Sequence, residues 1–294
     1  MFDLQKLERN RAKSYAFIKG SNFHQFVCDD ILNRLEPVDR DFKDILVIGS
    51  ALGEMVCADV KKHYPNSNIS LTSEVDNLEQ QSKDHQSKDH QSKDHQSKDH
   101  QSKFDLIIFP FGLHWVNDVQ IFLAKIKRML TDDGVFICSF PAAGTLPKLR
   151  LHLVQLEEKH STSHVPHISP FIQFEQVTQL LQQAGFVENI IDTENLELEY
   201  DSPLALMRAL KNHGESNALT CAPVYSITKA MHKELGKKKE SDSEGISSGT
   251  GEEKDSAEEA DMKEDSFIDF VNLTSFISSA TKKTIKLKPK YFQG

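Results

Sequence analysis

Two short stretches of this chain combine residue types that can do chemistry with positions at which a fold presents them. The first is Val47-Ile48-Gly49-Ser50-Ala51-Leu52-Gly53. Its two glycines follow an apolar run, and a glycine lets backbone approach a ligand more closely than any residue with a Cβ. The second is Pro110 to Trp115, which follows another apolar run and ends in His114 and Trp115. Imidazole is the side chain that exchanges a proton near neutral pH. Trp115, the only tryptophan of the chain, offers a broad wall for a pocket. The competing reading is that Trp115 packs beneath a helix and His114 caps a loop. Farther along stand Arg150 and His167. The planar guanidinium of Arg150 suits a carboxylate in a fork geometry, and the competing reading is a solvated helix charge. His152, His160, His164 and His167 are not accompanied by a supporting acid at ligand spacing, and paired cysteines are absent, so no metal centre is expected.

The surrounding elements must place these residues. Leu4–Ile18 and Asn22–Leu35 read as two opening helices. Asp44–Gly49 reads as a first buried strand, Ala51–His63 as the helix behind it, and Ile69–Thr72 as a second strand. Phe104 to Phe140 then reads as strand, loop, helix, turn and strand. Leu106–Phe109 is a short apolar run of the kind buried on both faces. Phe122, Leu123, Ile126 and Leu130 recur at helical spacing, with Asn117 or Asp118 placed to cap. Asp133-Gly134 is expected to turn the chain into the strand Val135–Phe140. Two such strands joined by a helix make a right-handed parallel unit, whose ligands sit at the carboxyl ends of the strands. Pro110–Trp115 falls there.

Helices are expected at Thr145–Lys159, Phe174–Ala184, from Ser202-Pro203 to Lys211, and over Val224–Leu235. Val187–Ile191 and Leu196–Tyr200 read as strand material with acids between. Phe267–Ile277 alternates as a strand does, and neither of its faces is wholly polar, which suits burial on both sides.

At 294 residues the chain can bury one large core. Its net charge of −9 is local: Glu240 to Asp265 holds eleven acidic residues against two lysines, which leaves 33 residues of each sign elsewhere. That balance gives no support to a nucleic-acid partner. The four cysteines are isolated, which fits a reducing, cytoplasmic setting. The longest apolar run is too short for membrane insertion, and the acidic residues near the start do not suit a targeting leader. QSKDH repeats four times without change over Gln81–His100 and contains no apolar residue, so it is expected to stand outside the core.

Read in order, several segments resemble one family. FDLI, a loop ending in HWVND, a helix with K..RML and then DGVFI are similar to the second half of a class I S-adenosylmethionine-dependent methyltransferase. FDLQKLERNRAKSY at the start, GTLPKLR at Gly144–Arg150, PHISPF at Pro166–Phe171, LLQQAGF at Leu180–Phe186 and GESNAL at Gly214–Leu219 narrow it. Together they resemble the complex I assembly factor 5 group and the malonyl carrier-protein methyltransferases of biotin synthesis, with PHISPF and GESN closer to the first. The likeness covers 1–75, 104–219 and the last strand.

The resemblance implies an α/β fold: a doubly wound, mostly parallel, Rossmann-like sheet with a helical cap and one antiparallel C-terminal strand lying beside Val135–Phe140. It implies a methyltransferase-like domain over 1–236 with the repeat, 81–103, as a disordered insert, an acidic disordered linker over 237–265, and a final strand and tail over 266–294. It implies S-adenosylmethionine as cofactor, held by Gly49, Ser50 and Gly53, with Glu74 on the ribose hydroxyls. The family's strand-one acid is Val47 here and its middle glycine is Ala51, so the cofactor loop is degenerate. His114 is implied as the catalytic base, and Trp115, Arg150 and His167 as substrate contacts. The implied substrate is protein-bound, carrier-bound or a carboxylated small molecule. The alternatives within the resemblance are a hydroxylase on the same fold, since the assembly-factor group is associated with arginine hydroxylation of a complex I subunit, and a non-catalytic assembly factor or scaffold. Oligomeric state is not legible.

Overall fold

The computed structural model describes residues 1–73, 103–160, 166–221, 227–237 and 266–282. Glu74, the QSKDH repeat and the acidic segment lie outside them.

Helices α1 (Leu4–Lys19) and α2 (Asn22–Leu35) open the chain. Each is started by a side chain that accepts from an otherwise unpaired N–H of the first turn, Asp3 from Lys6 and Ser21 from His24. Strand β1 (Asp44–Ile48), helix α3 (Ala51–His63) and strand β2 (Asn68–Thr72) follow. Beyond the repeat come β3 (Phe104–Pro110), a single 3-10 turn (Leu113–Trp115), α4 (Val119–Met129) and β4 (Leu130–Pro141). Asp118, rather than Asn117, caps α4, accepting from the Ile121 amide at 2.9 Å. The remaining elements are α5 (Pro147–His160), α6 (Phe174–Gln183), β5 (Glu188–Tyr200), α7 (Pro203–Asn212), α8 (Lys229–Leu235) and β6 (Phe267–Ser279).

The strands form one sheet in the order β2-β1-β3-β4-β6-β5. The pairs from β2 to β4 are parallel, and β6 is antiparallel to both its neighbours. The chain winds outward from β1 in one direction and from β3 in the other. A crevice therefore opens above the carboxyl ends of β1 and β3, where the winding switches.

Side-chain alternation sorts the central strands onto two apolar layers. Ile45, Val47, Leu106, Ile108, Val135 and Ile137 face α2 and α3, meeting Val27, Ile31, Leu35, Val56 and Val60. Leu46, Ile48, Ile107, Phe109, Phe136 and Phe140 face α4 and α6, meeting Phe122, Ile126 and Leu181. A third cluster joins α5, α7 and α8 into a cap through Leu149, Leu153, Leu206, Met231 and Leu235.

Two expectations are corrected here. Asp133-Gly134 is no turn. β4 begins at Leu130, pairs it with Phe104, and carries an irregularity before Val135 pairs with Leu106. A Cβ at Gly134 would stand 2.9 Å from Leu130 Cβ, so glycine is what lets the bulge close. The acids Asp192 and Glu194 do not interrupt β5 either. It is an edge strand of 13 residues; the Asp192 carboxylate is held by the Arg34 guanidinium of α2, and Glu194 is exposed, so the acids are accommodated without a break. β6 lies where the resemblance placed it, between β4 and β5. No described helix is long and apolar enough to cross a membrane.

Candidate functional site

The switch point holds two adjoining cavities. The larger, of about 560 Å³, lies over the ends of β1, β2 and β3, with Ser50, Ser73, Phe109 and Trp115 on the sheet side and α1 as the opposite wall. A smaller one, of about 30 Å³, is lined by Gly49, Phe111, His24, His213 and Glu215, and shares Arg11, Ser50, Phe109 and Gly112 with the first.

The glycine turn is built as the spacing suggests. The Gly49 amide donates to Thr72 O at 2.7 Å, and a Cβ at Gly49 would meet Gly53 N at 3.2 Å and Gly53 Cα at 3.3 Å. The two glycines thus serve each other's close approach. Ser50 precedes α3 without capping it, so its hydroxyl remains free to meet a ligand. Val47 and Ala51 are fully buried. Val47 belongs to the layer beneath α2 and α3, where a carboxylate would have no partner. At the end of β3, Phe111 holds φ +50°, an outlier for a bulky residue, and such backbone clusters at functional sites.

His114 and Trp115 are both buried and converge on one acceptor. His114 Nε2 lies 2.9 Å from Glu215 Oε2, and Trp115 Nε1 donates to the same oxygen at 2.8 Å. Nδ1 of His114 is buried without a hydrogen-bond partner. Burial lowers the His114 imidazole below its usual range. Burial alone would raise Glu215, but the hydrogen bonds from His114 and Trp115 and the Arg11 charge outweigh it and hold the carboxyl low. The Arg11 guanidinium is lowered by burial and supported by the Glu215 charge. A second buried imidazole, His24, stacks on His213 at 5.1 Å and has an unpartnered Nδ1. Burial, with His213 beside it, lowers His24 to about 4.

The motifs read separately in the sequence meet around this cluster. Phe2 sets its ring edge against Trp115 at 5.1 Å and bridges to Leu219. Asn217 donates to Pro166 O at 2.8 Å, and Phe171 approaches the His114 ring at 6.1 Å. FDLQKLERNRAKSY, HWVND, PHISPF and GESNAL therefore meet around one cluster. Of the residues singled out from the sequence, Gly49 and Ser50 reach the cavities, Trp115 lines the larger one, and His114 stands beside them. Gly53 packs toward Leu71. Glu74 lies outside the described residues.

Arg150 and His167 do not join that group. Arg150 spends its guanidinium on Ile168 O and Ser169 O, both at 3.2 Å. His167 Nε2 stands 2.8 Å from Oε1 of the buried Glu157 without hydrogen-bond alignment. Neither lines a cavity. Both hold in place the loop that carries Phe171. Conversely, Arg11, His24, His213 and Glu215 were not singled out, although Arg11 and Glu215 stand inside quoted motifs. Their roles depend on a meeting of segments some two hundred residues apart.

A model of the methyltransferase-domain family matches residues 21–189. A Rickettsia prowazekii (strain Madrid E) protein named as a methyltransferase is 38% identical over 198 residues, which is 66% of this chain and 84% of that protein. The mitochondrial arginine-hydroxylase NDUFAF5 of Mus musculus is 30% identical over 192 residues, 64% of this chain and 54% of its own length. The malonyl-[acyl-carrier protein] O-methyltransferase of Xylella fastidiosa (strain M23) is 27% identical over 186 residues, 62% of this chain and 61% of that enzyme. The chain thus spans little more than half of the mouse relative. With a match over more than half its length and the sheet order described above, this chain belongs to the class I S-adenosylmethionine-dependent methyltransferase family.

Proposed function

We propose that this chain binds S-adenosylmethionine in the cleft above β1, β2 and β3 and acts on a protein-bound or carboxylated small substrate. The observation that carries the reading is the cleft itself. Its volume of about 560 Å³ falls in the range of small-molecule sites, and it lies at the switch point beside the glycine turn. The donor set fits the cofactor in most of its parts. Gly49 and Ser50 would receive its thioether and ribose region and the apolar walls Phe109 and Trp115 its flat base; Glu74, which the resemblance implies for the ribose hydroxyls, lies outside the described residues. Val47 fits no part of it. When bound, the cofactor supplies an electrophilic methyl on a sulfonium centre.

The chain's own share is alignment and proton handling. Glu215 fixes the His114 ring through Nε2. With Nε2–H directed to that carboxylate, Nδ1 keeps a lone pair. The lowered His114 is neutral near pH 7 and can take a proton from an acceptor group. Trp115 walls the site, while Arg150 and His167 act on the substrate by holding the Ile168–Phe171 loop. The four cysteines are free, which supports work in a reducing, cytoplasmic setting.

A second reading draws on Val47 and on the hydroxylase-named relatives: a hydroxylase on this fold, or a non-catalytic factor in complex I assembly. Calorimetric titration of the full chain with S-adenosylmethionine and S-adenosylhomocysteine tests the first reading. Saturable binding of both is expected. A folded protein that takes up neither sinks it and leaves the scaffold reading in place.

A further inference from the structure

The family's usual anchor for the amino group of the cofactor is missing at Val47, and the structure offers a replacement elsewhere. The small cavity joins the cleft at Arg11, Ser50 and Gly112 and has room for one small polar group, so of an amino-acid end it would take one charged group while the other stays in the cleft. Its walls carry one guanidinium, Arg11, and one carboxylate, Glu215. Oε2 of Glu215 is taken by His114 and Trp115. His24, only 3% exposed, lines the same cavity and has a buried ring nitrogen with no partner. A guanidinium matches a carboxylate in a fork, and a carboxylate beside an imidazole nitrogen matches an ammonium. A wall of opposite charges, set at the Gly49–Ser50 turn, has the pattern of an α-amino acid.

We propose that Arg11 and Glu215 clamp the zwitterionic methionine end of S-adenosylmethionine, Arg11 on its carboxylate and Glu215, with His24, on its ammonium. The clamp moves the cofactor's charged anchor from strand β1 to helix α1 and the turn after α7. It rests on the cofactor reading above and deepens it. It also explains why Val47 is tolerated: the ammonium is served from across the cavity. The joint that makes it possible is Gly214, at φ +81°. A Cβ there would meet Ser14 Oγ at 2.8 Å and Arg11 Cα at 3.3 Å. The turn carrying Glu215 therefore presses on α1 at Arg11.

The test compares S-adenosylhomocysteine with 5′-methylthioadenosine, which keeps the nucleoside and thioether but lacks the amino-acid end. Both are titrated calorimetrically into the full chain. The parent should bind S-adenosylhomocysteine about tenfold or more tightly than methylthioadenosine, as expected for lost charge-assisted bonds. Arg11→Gln should bring S-adenosylhomocysteine down to the methylthioadenosine level and leave methylthioadenosine unchanged, with partial recovery in Arg11→Lys. Glu215→Gln should act likewise if it folds, and the Arg11 pair decides if it does not. Retained affinity in Arg11→Gln, or parallel loss of both ligands, overturns the clamp. Equal binding of the two ligands by the parent overturns it while leaving the cofactor site standing. Binding of neither overturns the cofactor reading, and the clamp with it.

Discussion

Gly214 and Arg11 touch through backbone, although they stand 203 residues apart in the chain. The turn after α7 adopts φ +81° at Gly214 and lies flat against α1, with Arg11 Cα 3.3 Å from where a Cβ would be. Glu215 follows immediately, so this contact sets the spacing between Glu215 and Arg11, both half-buried. Gly214→Ala should cost about 2 kcal/mol of stability, combining the left-handed strain with the clash at Ser14. It should also weaken S-adenosylhomocysteine binding by moving α1 away. Urea unfolding and calorimetry read the two effects. A variant as stable as the parent would mean that the turn re-forms without the contact.

Much of this arrangement was legible as pattern and little of it as partnership. α2, α3 and the central strands follow from apolar periodicity, and β6 from an alternation with no polar face. In sequence β5 splits in two because Asp192 and Glu194 look like a break, whereas the strand runs through them, with Asp192 taken by Arg34. Arg150 looked like a substrate clamp because its charge was visible and the carbonyls of Ile168 and Ser169 were not. Arg11 and Glu215 stand inside motifs of the resemblance, but nothing local marks them as a pair. One reads as a helix charge and the other as a loop acid, and only the meeting of α1 with the turn after α7 makes them a pair.

Asp269 shows the same principle in the cap. It is fully buried in β6, and its carboxylate accepts from the backbone amides of Leu149 at 2.7 Å and Lys148 at 3.2 Å. A strand residue thus caps α5 from more than a hundred residues away. Asp269→Ala leaves two amides of the first helical turn unpaired in a dry place. A loss of about 2–3 kcal/mol is expected, read by thermal unfolding, with amide exchange quickening first in α5. If α5 exchanges no faster than before, another group caps that helix.

Restoring the family's acid should fail. Val47 is fully buried among Val56, Val60 and Ile108, and a carboxylate there has no cation to meet. Val47→Asp should cost about 3 kcal/mol or more without raising cofactor affinity. A stable variant that binds S-adenosylhomocysteine more tightly would show that this position opens to the cleft after all.

The last expectation concerns acid. His24 is lowered from the ordinary histidine value of 6.5 to about 4, chiefly by burial and then by the neighbouring His213, with Glu215 opposing. Between those two values the unfolded chain binds a proton that folded His24 refuses. Stability must therefore fall as pH drops from about 6.5 to about 4, by about 3 kcal/mol for this group. His114 is lowered too and contributes with the same sign. Glu215 is held below its usual value, so its share is lost only at lower pH, as the medium passes below the range of an unperturbed glutamate. Urea unfolding of parent and His24→Gln at pH 7 and pH 4.5 separates these terms. The variant should lose clearly less stability across that interval than the parent does. Equal losses would mean that His24 is protonated in the folded protein and that the wall it forms is not dry.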